Sequence, residues 1–472
     1  MGRSVVVSWV VLASSSTVEV ARAQNETTTA PAIAAPETRP TEIRPVESMW
    51  QTAFYGFAEV DAMADTTQSF GPAANNAMLA RPGTYAATHP RAQLTAQNSL
   101  FGVRVAAPPY RCILASAHGE LDFFGVQTAD ATESTVYTLA TVRMRLYYFK
   151  LETPVVDVLA GQYHDLFGWG GAGFYPASVA FLGLPGEIYR RQPQVRVSKT
   201  LAVRRATVAV ALAAVRPVQR DSGVPDLQAG VRLAFPSWSG IGMQGSGQPD
   251  AAPLAIGLSA VGRRFAVAEF LPNPGEAKVS FGGGLAANLF VPILRGRGRG
   301  VEDRGNALSL TAEATLGTGL SDLYTGLTGG ALFPTLPNPG ALVPPPLYRP
   351  DIDSGIVTFD GNGNLRTIHW RAMLVGLQYY LPIDAGRVWL SANLSRLEST
   401  NLRSLTPEAS RGGVFVKQEY VDVNVFGAIT PAVQVGVSFQ GTRQWYGDMP
   451  FGMSTGPEAR NGRFEAAARM FF

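Results

Sequence analysis

A chain of 472 residues could fold as several soluble domains or as one very large barrel. Its 50 glycines and only 16% charged residues fit the barrel, because lipid-facing positions carry no charge and tight turns need Gly. Past the first few residues no apolar run reaches about 18 residues, which excludes helical spans; the single Cys112 excludes an intrachain disulfide, and the net charge of +3 is carried mostly by Arg.

Residues 1–23 read as a signal peptide, with Arg3, an apolar run from Val5 to Ala13, and Ala21-Arg22-Ala23 before the cut. Residues 24–49 are rich in Pro, Thr, Ala and Glu without periodicity, which predicts a disordered periplasmic segment. Residues 50–472 are predicted to form an all-β, antiparallel transmembrane barrel. Alternation starts at Phe54, with Phe54, Gly56, Ala58 and Val60 facing lipid and Tyr55, Phe57, Glu59 and Asp61 facing the lumen. After a polar loop over 62–96, Phe101, Val103 and Val105 flank Arg104. Ile113, Ala115, Ala117, Gly119 and Leu121 then alternate with His118, Glu120 and Asp122, and Val142, Met144, Leu146 and Tyr148 with Arg143, Arg145 and Tyr147.

Long polar loops (125–135, 164–190, 216–226, 317–366, 398–413, 446–460) alternate with short turns such as Ile383-Asp384-Ala385-Gly386 and Thr430-Pro431. Outer-membrane barrels have this asymmetry, with short periplasmic turns and long outer loops. The plainest late strands set Val388, Leu390, Ala392 and Leu394 against Trp389, Ser391, Asn393 and Ser395, and Val433, Val435, Val437 and Phe439 against Gln434, Gly436, Ser438 and Gln440. The weakest pattern lies between Phe235 and Ala252, and the basic turn Arg295–Arg304 is long. The chain ends on an alternating strand, Phe464, Ala466, Ala468, Met470 and Phe472 against Glu465, Ala467, Arg469 and Phe471. This ending resembles the insertion signal of bacterial outer-membrane proteins and predicts the barrel-assembly machinery as a partner. The count comes to about 16 strands, each ~10 residues long and tilted ~40° to cover about 25 Å. A ring that wide cannot be filled by side chains and leaves an aqueous channel.

The stretch Asp165–Arg191, with Trp169, Phe174, Tyr175 and Phe181, is the third outer loop; its apolar content predicts that it tucks into the lumen. The candidate solute path then comprises Arg104, Arg143, Arg145, Arg190, Arg191, Arg196 and Arg232 with Glu59, Asp61, Glu120 and Asp122. Arginines lower the cost of a carboxylate entering a narrow passage, and facing acids set up a transverse field. The plainer reading is that Glu120 pairs with Arg143 or Arg145 across the sheet and stiffens the wall.

Several short segments are similar to the DcaP-like porins, outer-membrane channels for dicarboxylates and related anions. They are Tyr55-Gly56-Phe57-Ala58-Glu59-Val60-Asp61, Leu159-Ala160-Gly161-Gln162, Arg191-Gln192-Pro193-Gln194-Val195-Arg196, and Gly376–Pro382 leading into Trp389–Asn393. The resemblance implies a 16-stranded homotrimeric porin with Arg191 and Arg196 in its constriction. The family's helical periplasmic extension has no counterpart in the Pro-broken 24–49.

Other motifs read as decoys. Gly452-Met453-Ser454-Thr455-Gly456 matches G-x-S-x-G but lacks the strand–turn–helix around it. In Asp360-Gly361-Asn362-Gly363-Asn364, Leu365 replaces the Gly of a calcium loop and Arg371 the bidentate Glu, so an Asn-Gly turn is expected; calcium there would draw on Asp351 and Asp353. His89, His118, His164 and His369 show no metal spacing, and Arg295–Gly300 is a basic turn rather than a nucleic-acid site. The expectation is a diffusion porin of the Gram-negative outer membrane, in contact with membrane lipid and small anionic solutes, with no cofactor, no metal and no catalysis. The rivals are a barrel-embedded enzyme, using His118 beside Glu120, and a barrel plugged by its own loops.

Overall fold

The computed structural model describes residues 50–71, 78–125, 141–180, 183–219, 222–244, 247–269, 273–296, 302–325, 327, 352–448 and 458–472. The expected signal peptide and periplasmic segment lie outside these residues. Sixteen antiparallel passes form one closed sheet. The first four are β1 (Gln51–Asp65), β2 in two pieces (Arg91–Thr95 and Leu100–Ala106), β3 (Leu114–Asp122) and β4 (Arg143–Glu152). Then come β5 (Asp157–His164), β6 (Arg191–Val203), β7 (Ala206–Val215), β8 (Asp226–Met243), β9 (Pro249–Ala268) and β10 (Ala277–Leu294). The last six are β11 (Leu308–Thr318), β12 (His369–Tyr380), β13 (Val388–Ser399), β14 (Phe415–Ala428), β15 (Val433–Tyr446) and β16 (Glu458–Phe471).

Both pieces of β2 pair with β1, so they count as one pass. β16 returns to β1 in register from Phe57↔Phe471 to Asp65↔Arg463, which removes the free edges of the sheet. Outward positions are apolar and exposed, as at Phe54, Val60, Leu394, Phe439 and Met470. Inward positions of the same strands are polar and buried, as at Glu59, Asn393, Ser438 and Glu465. This inside-out polarity is what closure in lipid requires: strands satisfy one another's backbone groups, and the apolar side faces the solvent, which is hydrocarbon. Short turns gather at one end of the barrel and long loops at the other.

Charge on the outward face is concentrated at the loop end of β12–β16, where Arg371, Arg396, Arg443 and Arg460 stand above apolar positions such as Met373, Leu394, Phe439 and Phe464. A lipid-facing Arg or Lys costs roughly 2–4 kcal/mol at the bilayer midplane and about 0–1 near the interface, so these residues mark the edge of the apolar band.

Three local expectations are corrected. Residues 62–96 are not all loop: β1 runs to Asp65 and pairs with Arg91–Thr95. Their outward residues Ala62, Ala64 and Ala92 are too small to register as an apolar face. In β4, Leu146 is buried and Tyr148 faces the inner ring of Tyr163, whereas Tyr147 is exposed, the reverse of the expected phase. A bulge explains it: Leu121 pairs with Met144 and Glu120 with Leu146, so Arg145 is an extra residue and the alternation slips by one. Between Phe235 and Ala252 the chain is strand to Met243 and again from Pro249; the pairs Phe235↔Leu254 and Ser239↔Pro253 leave Pro236–Trp238 bulged, where Pro has no N–H to give.

Closure brings backbones close at Gly56, where a Cβ would meet the Leu100 carbonyl and lie 3.0 Å from the Phe472 ring. Gly56→Val should cost about 1–3 kcal/mol by overpacking the seam. The expected outcome is a lower thermal midpoint, read from heat-dependent gel mobility; an unshifted midpoint would show that the seam yields freely.

Candidate functional site

The third loop leaves the wall at His164 and returns at Arg191, its root closed by Asp165 N donating to Arg190 O at 3.0 Å. Its first arm lies on β8 and β9. Phe167 N donates to Gln228 Oε1 (2.8 Å), Gly168 N to Ser259 Oγ (2.8 Å), and the Trp169 indole to Leu258 O (3.0 Å). Gly230 and Gly257 leave room for that indole; a Cβ at either would press on it. Farther on, Ser178 Oγ donates to Asp422 Oδ2 (2.7 Å) and Val179 N to Asn424 Oδ1 (3.2 Å). Ala177 O accepts from Ser391 Oγ (2.6 Å) and Asn393 Nδ2 (2.8 Å). These partners are inward residues of β13 and β14, eight passes from β5 and β6 in a ring of sixteen, so the loop crosses the interior. Phe181 lies outside the described residues.

The sequence-predicted acids are all occupied. Glu59 accepts from Arg469 Nε at 2.9 Å, and Asp61 from Asn98. Glu120 accepts from Arg145 Nε (2.7 Å) and from the Tyr55 hydroxyl (3.2 Å). Asp122 accepts from Arg143 (2.6 Å) and Arg145 (3.1 Å), so of the two expected partners Glu120 takes Arg145, while Arg143 pairs across the sheet with Asp122 instead. Arg190 pairs with Asp322 in a buried cluster, where Arg263 also meets Asp322 (2.6 Å) and Asp226 (2.9 Å).

Four predicted arginines are different. Arg104, Arg191, Arg196 and Arg232 have no carboxylate in ion-pair contact among the described residues; they lie on rings instead. Arg104 sits 5.3 Å from the Tyr55 ring, Arg191 5.1 Å from Tyr189, Arg196 5.2 Å from Tyr163 and Arg232 5.6 Å from Phe174. Arg196 is further aimed by Gln194 Oε1 (3.1 Å) and His164 O (2.5 Å). Arg191 Nη1 and Arg232 Nε are buried without a hydrogen-bond partner. The rings are in turn linked, His118 to Tyr148 (4.8 Å), Tyr148 to Tyr163 (4.8 Å), and Tyr189 to Tyr175 (6.2 Å). From sequence, Tyr55 is expected in the lumen, Tyr175 on the inward loop and Tyr148 on the lipid face, while Tyr163 and Tyr189 are not singled out. The one visible mark of the cluster is Tyr at inward positions of neighbouring strands, which the bulge in β4 hides.

His118 is taken up by stacking on Tyr148. The Asp360 segment is a hairpin turn joining Val357–Phe359 to Leu365–Thr367. Asp360 Oδ1 accepts from Asn364 N (2.9 Å) and Asn362 N (3.0 Å), and Oδ2 from Arg366 (2.8 Å). Slight burial pushes this carboxyl up, but those bonds outweigh it and hold it at about 2. Asp351 and the motif 452–456 lie outside the described residues.

No protein-family model and no curated protein sequence matches the chain. Among solved structures it is similar to the outer membrane channel DcaP of Acinetobacter baumannii, at 16% identity and a TM-score of 0.58, covering 90% of this chain and 97% of that one. The anion-selective porin from Comamonas acidovorans matches at 9% identity and a TM-score of 0.47, covering 90% and 100%. The expected 16-stranded barrel fold is thereby shared with a known outer-membrane channel.

On the return arm of the third loop, burial, and after it the Glu313 carboxylate, push Glu187 up from 4.5 to about 8 against the bond it accepts from Leu184 N. Between about 4.5 and 8 the folded loop keeps a proton that an unfolded chain has released, so stability is full below that window and is lost as pH rises through it. The thermal midpoint should therefore fall between pH 5 and pH 9, and Glu187→Gln should flatten the profile. Parallel profiles for the two proteins would show that Glu187 ionises freely.

Proposed function

We propose that this chain is a porin of the Gram-negative outer membrane, passing small hydrophilic solutes by diffusion and preferring anions, carboxylates foremost, without catalytic chemistry. The loop end faces the medium and the turn end the periplasm. One observation carries the anion preference: three of the four named acids, Glu59, Glu120 and Asp122, are ion-paired with arginine and Asp61 is held by Asn98, whereas Arg104, Arg191, Arg196 and Arg232 have rings as neighbours. A guanidinium resting on an aromatic face keeps its charge and its outer N–H donors, so it offers a carboxylate a bidentate partner. Tyr hydroxyls beside it extend the donor surface. A row of such groups lets an anion exchange one partner for the next as it moves, which is what conduction asks of a path that binds and releases. The cavity of about 550 Å³ at the turn end, lined by Arg304 and Arg387 with Glu302 as its one acid, fits a vestibule with an excess of the same sign. The likeness to DcaP is one of fold and agrees with this reading; a homotrimer is part of it.

The plugged-barrel reading has one observation in its favour. Phe70 and Leu79 from the first loop, Phe167 and Ile188 from the third, Leu323 and Tyr324 from the sixth and Leu402 from the seventh share one apolar cluster.

Planar-bilayer recording of the purified protein in asymmetric KCl separates the readings. Anion-preferring reversal potentials are expected. The double variant Arg191→Ala, Arg196→Ala removes two charges ~8 Å from a watery path, ~1 kcal/mol together, which disfavours chloride and favours potassium by about fivefold each, so the chloride-to-potassium permeability ratio should fall by about 25-fold. Unchanged selectivity would take these arginines off the path, cation preference would reject the arginine surface, and negligible conductance would favour the plug.

A further inference from the structure

We propose that the outward face of β12–β16 at the loop end is a binding site for the phosphate groups of an outer-leaflet lipid of the lipid A type. This rests on the barrel spanning a membrane and not on its conducting. The site is a row of ion pairs on lipid-facing positions of five adjacent strands. Glu398 on β13 holds Arg396 (Nε at 2.8 Å) and, across the register Arg371↔Glu398, Arg371 of β12. Glu419 on β14 holds Lys417 (2.8 Å) and lies 3.7 Å from Arg396. Glu458 on β16 holds Arg443 of β15 (2.9 Å) and Arg460.

Five cations thus share three carboxylates, which leaves positive charge in excess on a surface that faces lipid. The carboxylates fix the directions of the guanidiniums, while the side chains of Arg371 and Arg460 remain 61% and 67% exposed with donors to spare. Trp445 lies between Lys417 (3.9 Å) and Arg443 (5.2 Å), an amphipathic ring at the boundary of the apolar band. A cavity of about 460 Å³ opens beside the row, lined by Arg371, Arg396 and the Glu398 that holds them, together with Leu316 and Met373. It suits a molecule carrying anionic oxygens next to acyl chain. The charged row is not repeated on β1 and β2, where the outward residues at the loop end are Ala62, Ala64, Ala92 and Leu94. Those suit an apolar neighbour, whereas β12–β16 suit a phosphorylated headgroup.

The test measures retention of synthetic diphosphoryl lipid A by the purified full chain in detergent, using native mass spectrometry. The same lipid stripped of both phosphates serves as the second probe. Wild-type protein should retain the phosphorylated lipid at least tenfold better than the stripped one. The triple variant Arg371→Gln, Arg396→Gln, Lys417→Gln should lose at least tenfold of that retention, with bilayer conductance unchanged. Equal retention of both lipids by the wild type overturns the proposal with no variant needed, and so does a triple variant that binds as wild type. Conversion of the triple variant to monomer with lipid retention intact would make the row a contact between copies of this chain, and also overturns it. Absent conductance with phosphate-dependent retention would sink the channel reading and leave this one standing.

Discussion

The structure depends on hydrogen-bond closure between the first and last strands. Gly56 and Phe472 exchange two backbone bonds of 3.1 Å, and the ladder continues to Asp65↔Arg463. In hydrocarbon an unpaired N–H or C=O costs several kcal/mol, so an open sheet edge is not a viable alternative to closure. Once the ring is shut, the period of two does the rest. Every second residue meets lipid and must be apolar, and every other one meets the interior and can be polar, as β15 shows from Val435 and Phe439 to Ser438 and Gln440.

A polar interior changes what buried charge is for. In a soluble core a buried Arg must be paired or it destabilises the fold. Here the wall pairs some arginines completely and leaves others on rings. Arg145 is committed to Glu120, Asp122 and the Tyr189 hydroxyl, whereas Arg191, one position beyond the end of the inward loop, has the face of Tyr189. The same tyrosine therefore ends a structural ion-pair chain and supports a free cation. Ion-paired arginines on β3 and β4 and ring-supported arginines on β6 are adjacent uses of one residue type.

The global architecture could be read from sequence because it rests on local rules: alternation, short turns opposed to long loops, and a terminal Phe472. The inward third loop could be read from its Gly and aromatic content, since Trp169 and Phe174 would be costly in water. What escaped reading was any feature set by a one-residue slip. The extra Arg145 inverts Tyr147 and Tyr148, and nothing in composition marks a bulge. The short pairing of Arg91–Thr95 escaped because alanines facing lipid give almost no contrast with the polar residues opposite. Partners such as Glu59 with Arg469 lie 410 positions apart, so the predicted acids were identified but their neutralisation was not.

The inward loop is not an independent flap. Its return arm forms backbone bonds with the sixth loop: Gly186 N to Thr325 O (2.7 Å), Thr325 N to Glu187 O (2.8 Å) and Tyr189 N to Leu323 O (3.4 Å). Ile188 N is bonded to Glu313 of β11, and Asp322 of the sixth loop binds both Arg190 at the loop root and Arg263 of the wall. Moving the third loop alone would therefore break a strand-like ladder and take the buried Arg190 away from Asp322. Residues 186–190 of the third loop and 322–325 of the sixth form one ladder clamped to β9 and β11. The third loop accordingly presents a fixed surface to the barrel interior on that side.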